Sequence, residues 1–121
     1  MTDEELLERA DAVAKNAYAP YSDFHVGAAI VTRDGRVFEG ANVENAAYPL
    51  GVCAERTVLS CAATAGVRPG DVEAIAITAS PCGGCRQWVH EWKLDRVTYR
   101  RANGEVVTRT PSEILPDSFD L

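Results

Sequence analysis

Cys53-Ala54-Glu55-Arg56 is the first of two stretches that decide the fold of this chain, and the second is Ser80-Pro81-Cys82-Gly83-Gly84-Cys85-Arg86-Gln87. The first stretch supplies one thiol and, two residues later, a carboxylate. The second supplies two thiols at the Cys-x-x-Cys spacing, from which both sulfurs can reach one metal ion. Because neither stretch completes a site alone, the chain has to fold so that the two meet.

Three thiolates fit a tetrahedral zinc site whose fourth position stays open for water, as in catalytic zinc sites. Such a water is strongly acidified, and a neighbouring carboxylate can take its proton and pass it on. Glu55 is placed for that role. The sequence therefore predicts one zinc ion per subunit, held by Cys53, Cys82 and Cys85, with Glu55 as the catalytic residue.

Each of these residues also has an ordinary structural interpretation. Free cysteines are among the most buried residue types, and the helix dipole favours a glutamate in a first turn. We favour the metal site because Glu55 stands two residues from a candidate zinc thiolate. The fourth thiol, Cys61, lies two helical turns (about 12 Å) from Cys53, too far to share one ion, and is expected in the core. His25 and His90 have no ligand partner nearby and are expected in the core or at the surface.

The bulk properties predict a globular protein with a small-molecule ligand. The 121 residues suffice for a single domain covering residues 1–121. The net charge of -6, from 12 basic and 18 acidic residues, argues against a nucleic acid or an anionic membrane as partner. No apolar run approaches the roughly 20 residues that span a bilayer, and the acidic N-terminus is unlike a secretory leader. We therefore expect a cytoplasmic protein whose thiols stay reduced.

Helix and strand signals alternate along the chain. Thr2 and Glu5 form a capping-box pattern before the first apolar stripe. Asp34-Gly35 and Asn103-Gly104 are typical hairpin turns, and Gly66 is typical of a helix C-terminus. The predicted helices cover residues 3–17, 53–65 and 82–92, with a final turn from 111, and the predicted strands cover residues 24–32, 36–42, 72–79, 96–101 and 105–109.

The order α-β-β-α-β-α-β-β-α predicts a three-layer α-β-α architecture, with a five-stranded mixed sheet and helices on both faces. The small residues Gly27, Ala28 and Ala29 indicate a strand that a helix approaches closely. Cys53 and Cys82 fall at helix N-termini, where the partial positive charge lowers the pKa of a thiol. A crossover from strand to helix to strand brings both helix starts to one edge of the sheet, where open α/β sheets bind ligands.

The paired motif resembles that of the zinc-dependent cytidine deaminases, in which a Cys(or His)-Ala-Glu stretch precedes Pro-Cys-x-x-Cys. A cysteine at position 53 is similar to the small homotetrameric, three-cysteine version of that family. The resemblance covers nearly the whole chain and implies a cytidine-deaminase-like fold. It also implies hydrolytic deamination of cytidine and deoxycytidine to uridine and deoxyuridine with release of ammonia, in pyrimidine salvage.

The residues around the motif have expected roles as well. Zinc with three thiolates carries a net negative charge, and the resemblance assigns Arg56 to hydrogen-bonding those sulfurs, which restores the acidity of the ion. Asn42 and Glu44 alternate at strand spacing, so their side chains are expected on one side, with donors and acceptors that suit sugar hydroxyls. This pair also matches the ribose-reading Asn-x-Glu of the resembling family.

Further contacts come from the resemblance. It implies that Phe24 stacks on the pyrimidine and that backbone groups of Ala54 and Ser80 hold the base edge and the departing amine. It also implies that Tyr48 and Phe119 reach into a neighbouring subunit's site, which makes the site composite and the protein a homotetramer.

Three alternatives stay open: a deaminase of a modified, blasticidin-like cytosine nucleoside, a structural zinc module with a closed fourth ligand, and a deaminase of bases within nucleic acid. The pair Asn42 and Glu44 argues against the first, and the acidic charge argues against the third. Two features depart from the family pattern. Ser80 alone separates the predicted strand from Pro81, a short loop that could admit bulkier bases. Two tryptophans, Trp88 and Trp92, stand where smaller apolar residues are usual.

Overall fold

The computed structural model describes residues 1–121 and confirms the predicted order of elements. Four helices are present: α1 (Asp3–Ala14), α2 (Ala54–Thr64), α3 (Gly83–Glu91) and α4 (Pro111–Ile114). Five strands are present: β1 (Gly27–Thr32), β2 (Val37–Ala41), β3 (Val72–Ile77), β4 (Arg96–Arg100) and β5 (Val106–Arg109). A short 3₁₀ turn, Tyr48–Leu50, lies between β2 and α2. None of the helices is both long and apolar enough to cross a bilayer.

The strands form one sheet in the order β2-β1-β3-β4-β5. β1 pairs antiparallel with both β2 and β3, β3 pairs parallel with β4, and β4 pairs antiparallel with β5. β2, β3 and β4 therefore run in the same direction, and their carboxyl ends lie at one edge. Because α2 follows β2 and α3 follows β3, both helices begin at this edge, on either side of the start of β1.

The sheet separates two apolar cores. The smaller core joins α1 to one face through Leu6, Leu7, Ala10, Ala29, Val31, Ala74 and Ala76. The larger core includes residues of α2, α3 and α4. Because successive strand residues point to opposite faces, Ala28 and Ile30 belong to the larger core while Ala29 and Val31 belong to the smaller one. The predicted three-layer α-β-α architecture with a mixed sheet is confirmed.

Glycines let the helices approach the sheet closely. A Cβ atom at Gly27 would lie 1.9 Å from the carbonyl oxygen of Ala10 in α1. A Cβ atom at Gly40 would lie 2.8 Å from the amide nitrogen of Val58 in α2. Real Cβ atoms do not come this close to backbone, so only glycine fits, and the close helix approach predicted at Gly27 is confirmed.

Several predicted helices and strands are longer than the observed ones. α1 ends at Ala14 instead of residue 17, and Tyr18 already donates its amide to the carbonyl oxygen of Asn42. β1 begins at Gly27 instead of residue 24, because the Asn42 side chain forms hydrogen bonds with the Val26 amide and the Phe24 carbonyl. β3 ends at Ile77 instead of residue 79, so three residues, not one, precede Pro81.

The prediction that Cys61 lies in the core is wrong, because this thiol is exposed. The buried face of α2 is formed by Ala54, Glu55, Val58, Leu59 and Ala62. Successive helical residues are turned by about 100°, so Cys61 falls on the flank of this face, beside the exposed Ser60.

Candidate active site

The three thiols of the paired motif meet at the sheet edge where α2 and α3 begin. Cys53 is the N-cap of α2, Cys82 is the N-cap of α3, and Cys85 lies in the first turn of α3. Their sulfur atoms all lie within 4.8 Å of one another, and those of Cys53 and Cys82 are 4.0 Å apart. Zn–S bonds of about 2.3 Å in a tetrahedron place sulfurs about 3.8 Å apart, so the donor set fits zinc.

The pKa values of two of the thiols are shifted in opposite directions. Hydrogen bonding with Cys85, and a further bond from Arg56, lower the pKa of Cys53 to about 5. The same bond with Cys53, together with burial, raises the pKa of Cys85. Among the protein groups alone, therefore, Cys53 favours the thiolate and Cys85 the protonated thiol. A cation bound by all three sulfurs has to displace that proton, which makes its affinity depend on pH.

Arg56 lies in the first turn of α2 and faces the thiols. Its Nη2 donates to the Cys53 sulfur at 3.5 Å, and this bond is the main cause of a raised pKa for Arg56. Its Nε is buried and has no hydrogen-bond partner. An unpaired buried donor is costly next to neutral thiols, whereas a cluster of negatively charged thiolates stabilises a guanidinium there. The position therefore suits a charge-neutralising role toward a metal–thiolate centre.

Glu55 is buried beside the thiols, with 3% of its surface exposed. Desolvation raises the pKa of its carboxyl group above the usual value, and the nearby charge of Cys53 acts in the same direction. A carboxyl group with a raised pKa can both accept and donate a proton near neutral pH. Burial of a carboxyl group costs free energy, so its place beside the thiol cluster favours a chemical role.

A cavity of about 180 Å³ opens beside these groups. It brings together residues from four parts of the chain, namely Phe24, Val26, Asn42, Cys53, Ala54, Glu55, Ala79, Ser80 and Cys82. Six of the predicted site residues besides Glu55 therefore line one space. Its wall is mostly apolar, with polar groups from Asn42, Glu55 and Ser80, a composition typical of a small-molecule site.

The predicted sugar-reading pair does not share this cavity. Asn42 lines it, whereas Glu44 lines a second depression with Tyr21 and Tyr48. Both side chains are engaged with backbone groups. Asn42 accepts from the Val26 amide at 2.8 Å and donates to the Phe24 carbonyl at 2.9 Å.

Glu44 accepts from the amides of Tyr21 and Ser22 at 2.9 and 3.2 Å and from the Ser22 hydroxyl. The hydroxyl bond is the main cause of a lowered pKa for Glu44. Together with Asn42, this carboxylate fixes the segment before β1 that carries Phe24. The sequence does not predict this structural role of Asn42 and Glu44, because their hydrogen-bond partners lie 16 to 23 residues away in the chain.

Three aromatic side chains of the predicted site are exposed. Phe24 is 60% exposed at the cavity, Tyr48 is 77% exposed, and Phe119 is 68% exposed. Tyr48 packs edge-on against Tyr21, with ring centroids 6.2 Å apart. Neither Tyr48 nor Phe119 lines the cavity that contains the thiols of its own chain.

Arg86 is a residue near the site that sequence reasoning missed. Its guanidinium binds Ser80, Pro81 and the carbonyl of Ile114. The sequence signals a cation directly after Cys85, but a partner 28 residues farther along is visible only in the fold.

Comparisons with known proteins agree with this arrangement. A family model described as the cytidine and deoxycytidylate deaminase zinc-binding region matches residues 1–101. The fold and the thiol cluster thus define a zinc-dependent hydrolase of the deaminase class. More particularly, the chain belongs to the cytidine and deoxycytidylate deaminase family.

Individual relatives match over nearly their full length. A cytidine deaminase of Halalkalibacterium halodurans is 44% identical, with 94% of this chain and 91% of that protein covered. The crystal structure of a cytidine deaminase from Burkholderia pseudomallei has a TM-score of 0.91 and 47% identity, covering 98% of this chain and 100% of that one. A cytidine deaminase structure from Mycobacterium tuberculosis has a TM-score of 0.85 and 35% identity, covering 100% of this chain and 99% of that one.

Removal of one clustered thiol is expected to abolish zinc binding. Cys85→Ala leaves two sulfurs, too few for a stable site, so zinc per chain should fall from about one to near zero by mass spectrometry of the metal. Cys61→Ser is the matched control, because this exposed thiol lies outside the cluster, and it should keep its zinc. Full zinc content in Cys85→Ala would contradict the assignment.

Proposed function

We propose that the protein hydrolyses cytidine and deoxycytidine to uridine and deoxyuridine with release of ammonia, as a step of pyrimidine salvage. The observation that carries the proposal is the buried carboxyl group of Glu55, which lines the same cavity as Cys53 and Cys82 of the three-thiol cluster. One zinc ion per chain, held by Cys53, Cys82 and Cys85, would supply the Lewis acidity that makes water nucleophilic near neutral pH. Residues 1–121 act as one catalytic domain in this proposal.

Glu55 moves the protons of the reaction. Its carboxylate takes a proton from the attacking water and delivers it to N3 of the cytosine ring as the C4–O bond forms. The same carboxyl group then carries the proton of the new C4 hydroxyl to the amine. The C4=O double bond forms as the C4–N bond breaks, and ammonia leaves. The burial that raises the pKa of Glu55 makes both protonation states accessible during one turnover.

The remaining cavity residues hold the nucleoside. We assign Phe24 to stacking on the base, and backbone groups of Ala54 and Ser80 to the base edge and the departing amine. Asn42 and Glu44 are assigned to the sugar. Each keeps free capacity beyond its backbone bonds, since the amide of Asn42 has a second hydrogen and the carboxylate oxygens of Glu44 have further lone pairs.

The exposed aromatic groups support a composite site in a homotetramer. Phe24 at the cavity is exposed. Other large apolar side chains are exposed as well: Tyr18, Tyr21, Val43, Tyr48, Leu50, Val52 and Phe119. A surface of this kind marks an association site in a small protein. Tyr48 and Phe119 are assigned to the site of a neighbouring subunit. The cytoplasmic location stays a prediction from the thiol chemistry.

Turnover of cytidine tests the function. Zinc-loaded protein should lower the ultraviolet absorbance of a cytidine solution as uridine forms. Glu55→Gln should lower kcat by several powers of ten and keep its full zinc content, because the amide neither takes nor returns a proton. Zinc analysis of both proteins is the control. A folded, zinc-loaded protein that leaves cytidine and deoxycytidine unchanged would sink the proposal.

Mixed assemblies test the composite site. Phe119→Ala and Glu55→Gln should each be impaired alone, but co-expression of the two chains should restore about a quarter of the sites, since a site then combines Glu55 of one subunit with Phe119 of the next. Light scattering should give a mass four times 13.1 kDa. Activity that stays at the average of the two single variants would show that Phe119 serves no neighbouring site.

A further inference from the structure

Arg86 connects two segments that meet beside the thiol cluster. Its Nε donates to the Pro81 carbonyl at 2.9 Å, and its Nη2 donates to the Ser80 hydroxyl at 3.2 Å. Its Nη1 donates to the Ile114 carbonyl at 3.0 Å. One guanidinium thus holds two acceptors in the loop that precedes α3 and a third at the end of α4.

The loop contacts act directly on the candidate site. Ser80 lines the cavity, and Pro81 is the residue before Cys82. The carbonyl that Arg86 binds belongs to the peptide group that joins Pro81 to Cys82. A charged donor on this carbonyl fixes the orientation of that peptide group and so the position from which the Cys82 thiol starts.

The third contact acts on the C-terminal segment. The Ile114 carbonyl is one of the last carbonyls of α4, which lack partners within the helix. Beyond it the chain returns along α3, where Gln87 donates to the Phe119 carbonyl at 2.9 Å and His90 pairs with Asp120 at 2.8 Å. Arg86, Gln87 and His90 are neighbours on one side of α3, so this side sets the position of the segment that carries Phe119.

We propose that Arg86 is a positioning residue that couples the loop Ser80–Cys82 to the C-terminal segment 114–121. It holds Ser80 and the start of the segment bearing Phe119 in a fixed relation. One side chain thus sets Ser80 in the site of its own chain and the segment whose Phe119 is assigned to a neighbouring subunit's site. The effect on turnover rests on the proposed function. Lysine does not replace it, because a single ammonium group lacks the planar fork that reaches both segments together.

Arg68 provides a matched control. Its guanidinium also binds backbone carbonyls, those of Ala63 and Val67 at 2.8 and 2.9 Å, but at the far end of α2 from the thiols. Arg68→Ala therefore removes comparable hydrogen bonds from a guanidinium to backbone carbonyls and leaves the contacts of the loop and the C-terminal segment in place.

Hydrogen exchange and kinetics of the zinc-loaded protein test the coupling. In Arg86→Lys, amide exchange should speed up in both segments, 78–83 and 112–121, and kcat/KM for cytidine should fall about 100-fold, mainly in kcat, with zinc content unchanged. Arg68→Ala should leave exchange in both segments unchanged and kcat/KM within about twofold of the parent. Arg86→Gln serves as a second variant with the same expected outcomes if the lysine variant does not fold.

Faster exchange in one segment only, in neither, or an unchanged kcat/KM in an active protein would overturn the proposal. If the parent protein does not turn over cytidine, the proposed function fails and the exchange result alone decides. Joint loosening of both segments then supports the coupling, and independent behaviour of the two rejects it.

Discussion

The site depends on two helices that begin at the same edge of the sheet. β2 and β3 run in parallel with β1 between them, so α2 and α3 start on either side of β1 and bring Cys53 within 4.8 Å of Cys82 and Cys85. This spacing depends on how α2 sits on the sheet, and the glycine at position 40 permits the close approach of α2. A small residue in β2 is therefore a condition of the thiol geometry.

At this edge of the sheet the surroundings favour negative charge on the thiols and disfavour it on the Glu55 carboxyl group. Helix N-termini and Arg56 favour thiolates, while burial of Glu55 disfavours a second negative charge next to them. The raised pKa of Glu55 follows from its burial, which also keeps bulk water away from this carboxyl group. The edge that stabilises the Cys53 thiolate thus also raises the pKa of the neighbouring carboxyl group, as the proposed proton transfer requires.

Local signals could be predicted, and long-range partners could not. The positions of Cys53 and Cys82 at helix starts follow from cap and proline patterns close by in the chain, and the structure has both as N-caps. The hydrogen bonds of Asn42 and Arg86 go to backbone groups 16 and 28 residues away, which no spacing rule reveals. The prediction for Cys61 is wrong because the small residues around it do not show which side of α2 is buried.

The proposed chemistry depends on zinc held by the three-thiol cluster in an open, catalytic site. X-ray absorption at the zinc edge of the metal-loaded protein tests it most directly. We expect three sulfur ligands at about 2.3 Å and one oxygen or nitrogen ligand at about 2.0–2.2 Å. Four sulfur ligands would contradict it, because a closed site leaves no position for the reacting water and defines a structural zinc module.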